Sequence, residues 1–577
     1  MANPDAEDRS GVVGVPRETV YTGADALTDA LLHLGVEYVF VNLGTDHPAL
    51  VESWARRARE GEPLPRIITS PHETVALAAA MGYADVSGRM QAVVVHVDVG
   101  TQNLGGMVHN AARGRVPVLI IAGASSVTLH GEMAGSRSDF IQFVQDVYDQ
   151  RGIVREYVKW SYEAKTGRVL GMLAGRAAQM ANADPKGPVY LVAAREMLEE
   201  PADRAWSTAS WARVEPAGLA PEAVRRIGDA LLRARRPLVV TSYLGRQPAA
   251  VEALVRLSER LGLGVVQPQR RFLNFPDHHP HHLGYEAAAL VRQADLVLVL
   301  DCDLPWVPMD AQPAPGASVF YLDVDPIKEA FPLWHLPIDA AYRVDTGVAL
   351  EQLEAYLAGR TVDGERLEER RRWIAAEYDR IHVPPPADPI GPEGAIRPDF
   401  VTAEVNALLD PDDIVVNEMA PIQHLQRTRP GTYFSSGGSS LGWGGGAALG
   451  AKLAAPDRTV VHLSGDGAFI FGIPTAVYWM AKRYQAPFLT VVYDNGGWNA
   501  VRRSTLRQHP TGVAAATREF FHRFADPPQY HEIARAAGGA LAIRVERPEA
   551  LRDALKRGLE AVRSGTSAVV NVRVEAP

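Results

Sequence analysis

One stretch limits the fold more than any other, residues 461–499, VHLSGDGAFIFGIPTAVYWMAKRYQAPFLTVVYDNGGWN. An apolar run at 459–463 leads into a Gly-Asp-Gly turn, an amphipathic segment at about 474–484, a second apolar run at 488–493 and a polar Asp-Asn-Gly-Gly loop. Strand, helix and strand in that order make a parallel crossover unit. Asp466 and Asn495 then stand at the ends of neighbouring strands, the edge at which open α/β sheets bind ligands. Asp466 offers a carboxylate oxygen, Asn495 an amide oxygen and the loop at Gly497 a main-chain carbonyl. Three hard oxygens with room for more suit Mg²⁺, which completes its octahedron with water and phosphate. Gly465 and Gly467, followed by Ala468, let main chain approach a diphosphate closely.

At 577 residues the chain is too long for one core and predicts about three domains. The net charge of -9 gives no electrostatic case for nucleic acid or an anionic membrane surface as partner. The single cysteine, Cys302, excludes an intrachain disulfide and points to a reducing compartment. No apolar run approaches the ~18 residues of a membrane span. Residues 1–18, acidic and polar, read as a disordered lead-in to a cytoplasmic protein.

Alternating apolar strands and helical segments recur through 19–200, 222–360 and 399–577, the pattern of α/β domains with doubly wound parallel sheets. Residues 201–221 and 361–398 are expected linkers, the second because VPPPADPIGPEGAIRP supports neither helix nor central strand. In the first block, strands are expected at 38–42, 92–97 and 118–122 and helices at 24–34, 74–83 and 104–113.

The spaced GDG and DNGG resemble the thiamine diphosphate motif, in which GDG is followed by NN; here Asp494 replaces the first Asn, the one that is not a metal ligand. Three α/β domains in this order resemble the pyrimidine-binding, central and diphosphate-binding domains of the acetolactate synthase and benzoylformate decarboxylase group. That resemblance implies thiamine diphosphate and Mg²⁺ as cofactors. It places at Glu73, in SPHETVALAAAMGYADVSG, the carboxyl that helps the aminopyrimidine lose a proton. In SSGGSSLGWGGGAALG it places Leu441 under the bend of the cofactor and the Ser439 carbonyl against the pyrimidine amino group. Glu418, in the Asn417-Glu418-Met419 loop, is expected near the diphosphate. Reading 442–447 as a dinucleotide fingerprint fails for want of a good strand directly before it.

The resemblance also selects residues around the substrate. VVVHVDVGTQNLGG matches a decarboxylase segment whose histidine sits over the cofactor, at His96; NFPDHHPHHLGYE matches a second loop, with its histidine at His279. His278, His279, His281 and His282 are too close in one loop to make a zinc site alone. NLGTDHPAL offers Thr45, Asp46 and His47 for the substrate carboxylate or proton transfer, and Gln145, with Gln142 as the equal alternative, matches a glutamine of acetolactate synthases.

The implied reaction is decarboxylation of a small 2-oxo acid to an enamine that is protonated to an aldehyde or captured by a second carbonyl compound. The family builds its site between subunits, so a homodimer, or a homotetramer of two such dimers, is expected. No glycine-rich phosphate loop in the central block supports FAD there. The competing readings are a catalytically silent cofactor-binding protein with a regulatory or scaffold role and, more weakly, an NAD-dependent oxidoreductase.

Overall fold

The structure, a computed structural model, describes residues 20–208 and 211–576. The expected lead-in at 1–18 lies outside the described residues. The first sheet holds β1 (Tyr38–Val41), β2 (Arg66–Thr69), β3 (Gln91–Val95), β4 (Val118–Ala124), β5 (Trp160–Glu163) and β6 (Val189–Ala194), in the order β2-β1-β3-β4-β6-β5. The central sheet holds β7 (Pro237–Thr241), β8 (Gly264–Val266), β9 (Leu296–Leu300), β10 (Ser318–Asp323) and β11 (Ala340–Arg343), in the order β11-β10-β9-β7-β8. The third holds β12 (Ile414–Glu418), β13 (Tyr433–Ser435), β14 (Val460–Gly465), β15 (Leu489–Asp494), β16 (Leu541–Val545) and β17 (Ala568–Arg573), in the order β13-β12-β14-β15-β17-β16. All of these strands pair in parallel. The sequence makes such strands where apolar residues run without alternation: β9, Leu-Val-Leu-Val-Leu, is buried along its whole length.

Counted from its own first strand, the third sheet has the same order as the first, although the two segments show no sequence repeat. In each the winding reverses between the first and third strands, β1 and β3 or β12 and β14. Such a reversal opens a crevice at the carboxyl ends of the strands.

The facing sides of these two sheets share one hydrophobic core. At its centre, helix Glu73–Ser87 lies along helix Trp443–Ala454, and both are rich in Ala and Gly. A Cβ on Gly450 would run into the Ala79 carbonyl, and one on Gly446 would fall 2.6 Å from Ala78 Cβ. The two backbones therefore meet with almost no side chain between them. Among the described residues, no helix is long and apolar enough to cross a membrane.

Several boundaries differ from the sequence reading. β3 stops at Val95; Val97, expected in the strand, opens helix Val97–Asn103, and the helix expected at 104–113 begins only at Gly106, after Gly105 at φ 50°. The expected linker at 361–398 contains an 18-residue helix, Gly364–Ile381. Buried Arg370 fastens that helix to the central domain by donating to the carbonyls of Leu231 (2.7 Å) and Ala234 (2.6 Å). Trp373 and Ile374 complete the core on one face of the central sheet.

Candidate active site

In the third domain, the chain leaves β14 at Gly465 and turns at once into the short helix Asp466–Phe471. Asp466 is buried; its Oδ1 accepts the Gly467 N–H (2.8 Å) and its Oδ2 those of Gly496 (2.8 Å) and Gly497 (3.0 Å). The loop after β15 is thereby laced to the turn after β14. Burial pushes the Asp466 carboxyl up to about 6, with Asp494 adding to the rise, while the three N–H groups hold it down. Beside it, Asn495 Oδ1 is buried with no hydrogen-bond partner. Gly497 has φ 149°, which only glycine adopts freely, and a Cβ there would strike the His522 carbonyl.

A buried acceptor without a donor carries the full cost of its lost hydration. A hard cation removes that cost, and a carboxylate, an amide oxygen and the Gly497 carbonyl are the donors Mg²⁺ takes. Asp466, Asn495 and Gly497 therefore fit the ion. Among the described residues, no group of three His, Cys, Asp or Glu side chains is gathered as a metal site.

The loop at Ser439 and Leu441 borders a cavity of about 530 Å³ that reaches all three domains, with Tyr243, Arg271 and Met419 also in its wall. Asn110 of the first domain, fully buried, holds this loop: its Nδ2 donates to Ser440 O (2.8 Å) and its Oδ1 accepts the Ser440 N–H (3.0 Å). The peptide between Ser439 and Ser440 is thus fixed by a residue of another domain. Glu418, expected near a diphosphate, also lines this cavity, and its carboxylate accepts the N–H groups of Gly442 (2.7 Å), Trp443 (3.1 Å) and Gly444 (2.8 Å). The positive end of helix Trp443–Ala454 draws the carboxylate there. Burial still pushes Glu418 up to about 7.

A second group of candidates gathers on the first domain. Glu73 opens its helix just beyond β2, is 5% exposed and accepts from Asn103 Nδ2 (3.2 Å). A Cβ on Gly100 would lie 3.1 Å from Glu73 Oε1 and 3.4 Å from His96 Cβ, so both residues flank one glycine. His96, at the end of β3, has its Nδ1 2.5 Å from Asp46 Oδ1 in the loop after β1. His47 Nδ1 lies 3.0 Å from the same oxygen and 3.2 Å from the Gly44 N–H; one nitrogen cannot serve both, and the charged acceptor is the stronger partner. Thr45 is exposed beside them. Gln145 stands close enough to His96 to favour its charged form, with neither amide atom otherwise partnered. Gln142 is spent on the Ser138 N–H (2.8 Å), so Gln145 is the glutamine brought to His96.

His279 does not join either group. Its Nε2 is 3.2 Å from Glu259 Oε1 and its ring packs edge-on against Phe275 and His281, all within the central domain. Its loop is turned onto helix Pro248–Leu261 of the same chain. The two groups that remain each lie at the carboxyl ends of neighbouring strands, Asp466 and Asn495 after β14 and β15, and Glu73, Asp46 and His96 after β2, β1 and β3. Among the described residues, no hydrogen bond or ion pair links Glu73 or His96 to Asp466 or Asn495 within one chain.

Three family models cover the chain in order: residues 21–151 match the N-terminal TPP binding domain of thiamine pyrophosphate enzymes, 224–349 the central domain and 413–572 the C-terminal TPP binding domain. The chain is 29% identical to a benzoylformate decarboxylase of Pseudomonas aeruginosa over 76% of its own length and 80% of the relative's. It is 26% identical to a probable 2-ketoarginine decarboxylase of the same organism (95% and 92% covered) and 24% identical to an acetolactate synthase of Mycobacterium bovis (93% and 85%). A 4-hydroxybenzoylformate decarboxylase of Rhodococcus jostii superposes with a TM-score of 0.78 at 23% identity, covering 96% of this chain and 99% of that one. With its three domains matched in sequence and fold, the chain belongs to the thiamine pyrophosphate enzymes, in the group of the acetolactate synthases and benzoylformate decarboxylases.

Proposed function

We propose that this enzyme decarboxylates a 2-oxo acid with thiamine diphosphate and Mg²⁺ and releases the aldehyde. The observation that carries the reading is the pairing of two half-sites: a cation seat at Asp466, Asn495 and Gly497 on the third sheet, and an acid/base group at Glu73 and His96 on the first. Bound thiamine diphosphate supplies a nucleophilic carbon that adds to the substrate carbonyl and accepts the electron pair freed by loss of CO₂. Asp466, Asn495 and the Gly497 carbonyl hold the metal, and Gly465, Gly467 and Ala468 let the main chain approach the diphosphate. Leu441 supports the bend, and the Ser439 carbonyl, steadied through Asn110, orients the pyrimidine. Glu73 exchanges a proton with the pyrimidine ring. His96, with Thr45 and His47 nearby, serves the substrate.

No hydrogen bond or ion pair among the described residues joins the half-sites of one chain, and in this reading each is completed by a second copy, as a homodimer or a pair of dimers. Exposed Phe140, Phe143, Val144, Val147 and Tyr148 on the first domain form the apolar strip such contact needs. One observation favours a second outcome: the uncommitted Gln145 amide beside His96 could hold a second carbonyl compound and turn the product into a 2-hydroxy ketone.

The test is CO₂ release from pyruvate, 2-oxobutyrate, a branched-chain 2-oxo acid, phenylpyruvate and benzoylformate, with the carbon product identified. Aldehyde from at least one of them is expected. A ligated product alone would move the assignment to carboligase, and absence of CO₂ throughout would overturn the reading.

A further inference from the structure

We propose that Asp46 is a positioning residue that works through His96, holding its ring so that Nε2 faces the open side and delivers the proton that replaces CO₂ on the substrate. This rests on the decarboxylase reading above and goes beyond it, because Asp46 itself touches no substrate: it is fully buried.

The geometry is specific. Both Asp46 oxygens are committed, Oδ1 to His96 Nδ1 (2.5 Å) and Oδ2 to the Val97 N–H (3.0 Å), so the carboxylate grips the histidine ring and the backbone after it together. Space for this contact is made by two glycines. A Cβ on Gly44 would collide with the His96 ring, and a Cβ on Gly123, on β4, would collide with the Asp46 carboxylate. Nδ1 thus carries a proton toward a buried anion, which leaves Nε2 as the reactive nitrogen; a second partner on one ring nitrogen commonly fixes the role of the other. His96 keeps 19% of its side chain exposed, whereas Asp46 keeps none.

The charged and titratable groups around the ring are Asp46 and His47 from the loop after β1, Asp98 from its own helix, Glu73 across Gly100, and Tyr190 behind Thr101. Asp46 holds Nδ1 of the ring, and Gln145 also favours its charged form. Burial by itself would lower the His96 pKa, and the Asp46 contact raises it above the ordinary value. The imidazolium therefore persists to higher pH than a free histidine.

The step balances simply. The bond to the carboxylate carbon breaks and CO₂ leaves; the electron pair left behind takes the proton from His96 Nε2, a C–H bond forms as the N–H bond breaks, and His96 is recharged from water. One proton is consumed per aldehyde. Because His96 acts while protonated, the rate of aldehyde release falls as pH rises through its raised pKa.

The experiment compares wild type, Asp46→Asn, His96→Gln and the double variant as holoenzymes, using the 2-oxo acid that wild type turns over fastest. Asp46→Asn is expected to move the alkaline fall of aldehyde release to lower pH by about one unit or more, while single-turnover CO₂ release keeps its rate. His96→Gln should abolish that fall, and adding Asp46→Asn should then cost nothing further. Gly123→Ala, which displaces the carboxylate without removing it, should move the fall in the same direction and covers the case in which Asp46→Asn does not fold. An unmoved pH profile in both variants, or a loss in the double variant equal to the product of the single losses, would overturn the proposal. Absence of CO₂ from wild type would overturn the decarboxylase reading and this step with it; CO₂ with an unmoved profile overturns the role of Asp46 alone.

Discussion

Glu418 shows what one buried carboxyl does to a molecule of this size. Its pKa stands at about 7 against an ordinary 4.5, because burial outweighs three main-chain donors. Between those values the folded chain keeps a proton that the unfolded chain has released, so stability falls as pH rises from 4.5 to 7 and the group is silent below that window. The full effect is at most about 3 kcal/mol. Glu418→Gln should flatten this part of the curve: wild type is expected to lose more melting temperature than the variant between pH 5 and pH 7.5, and parallel curves would assign the dependence to another group. The sequence placed Glu418 at a strand end but could not show its target, since the donors lie in 442–444 and come near only when β12 and β14 pair. The same holds for Asp46 and His96, joined by the adjacency of β1 and β3. Asp466 and Asn495 were legible because one crossover unit contains both. For His279 the match rested on its neighbours in the chain, which say nothing about which helix the loop packs on.

At the scale of elements, continuous apolar runs such as β9 were readable because both faces of a parallel strand are buried. β2 and β5 were not, being four-residue edge strands with exposed positions. Helix Gly364–Ile381 was hidden by its charge: most of its surface is solvated, and only Arg370, Trp373 and Ile374 are buried. The helix pair of the shared core is the most sensitive element. Gly450→Val puts a branched side chain where the Ala79 carbonyl lies, and a loss of roughly 3 kcal/mol or more is expected from overpacking. Thermal unfolding of the variant checks it; a melting temperature within a degree of wild type would show that the helices separate freely.

For the whole molecule, the separation of Glu73 from Asp466 has a direct test. Glu73→Gln and Asp466→Ala should each be nearly inactive as homodimers. Unfolded, mixed and refolded together, they should regain roughly a quarter of wild-type activity, because half of the random dimers carry one intact site of two. No recovery, with mixed dimers demonstrated, would place both residues in one chain's site. The shared core has a different consequence, for how the chain is made. Helix Glu73–Ser87 leaves the ribosome long before helix Trp443–Ala454 exists. At about 5–20 residues per second, its Ala-rich face waits on the order of half a minute for its partner. The first domain is born with its inner face bare, so every copy of this enzyme passes through a stage in which aggregation competes with synthesis.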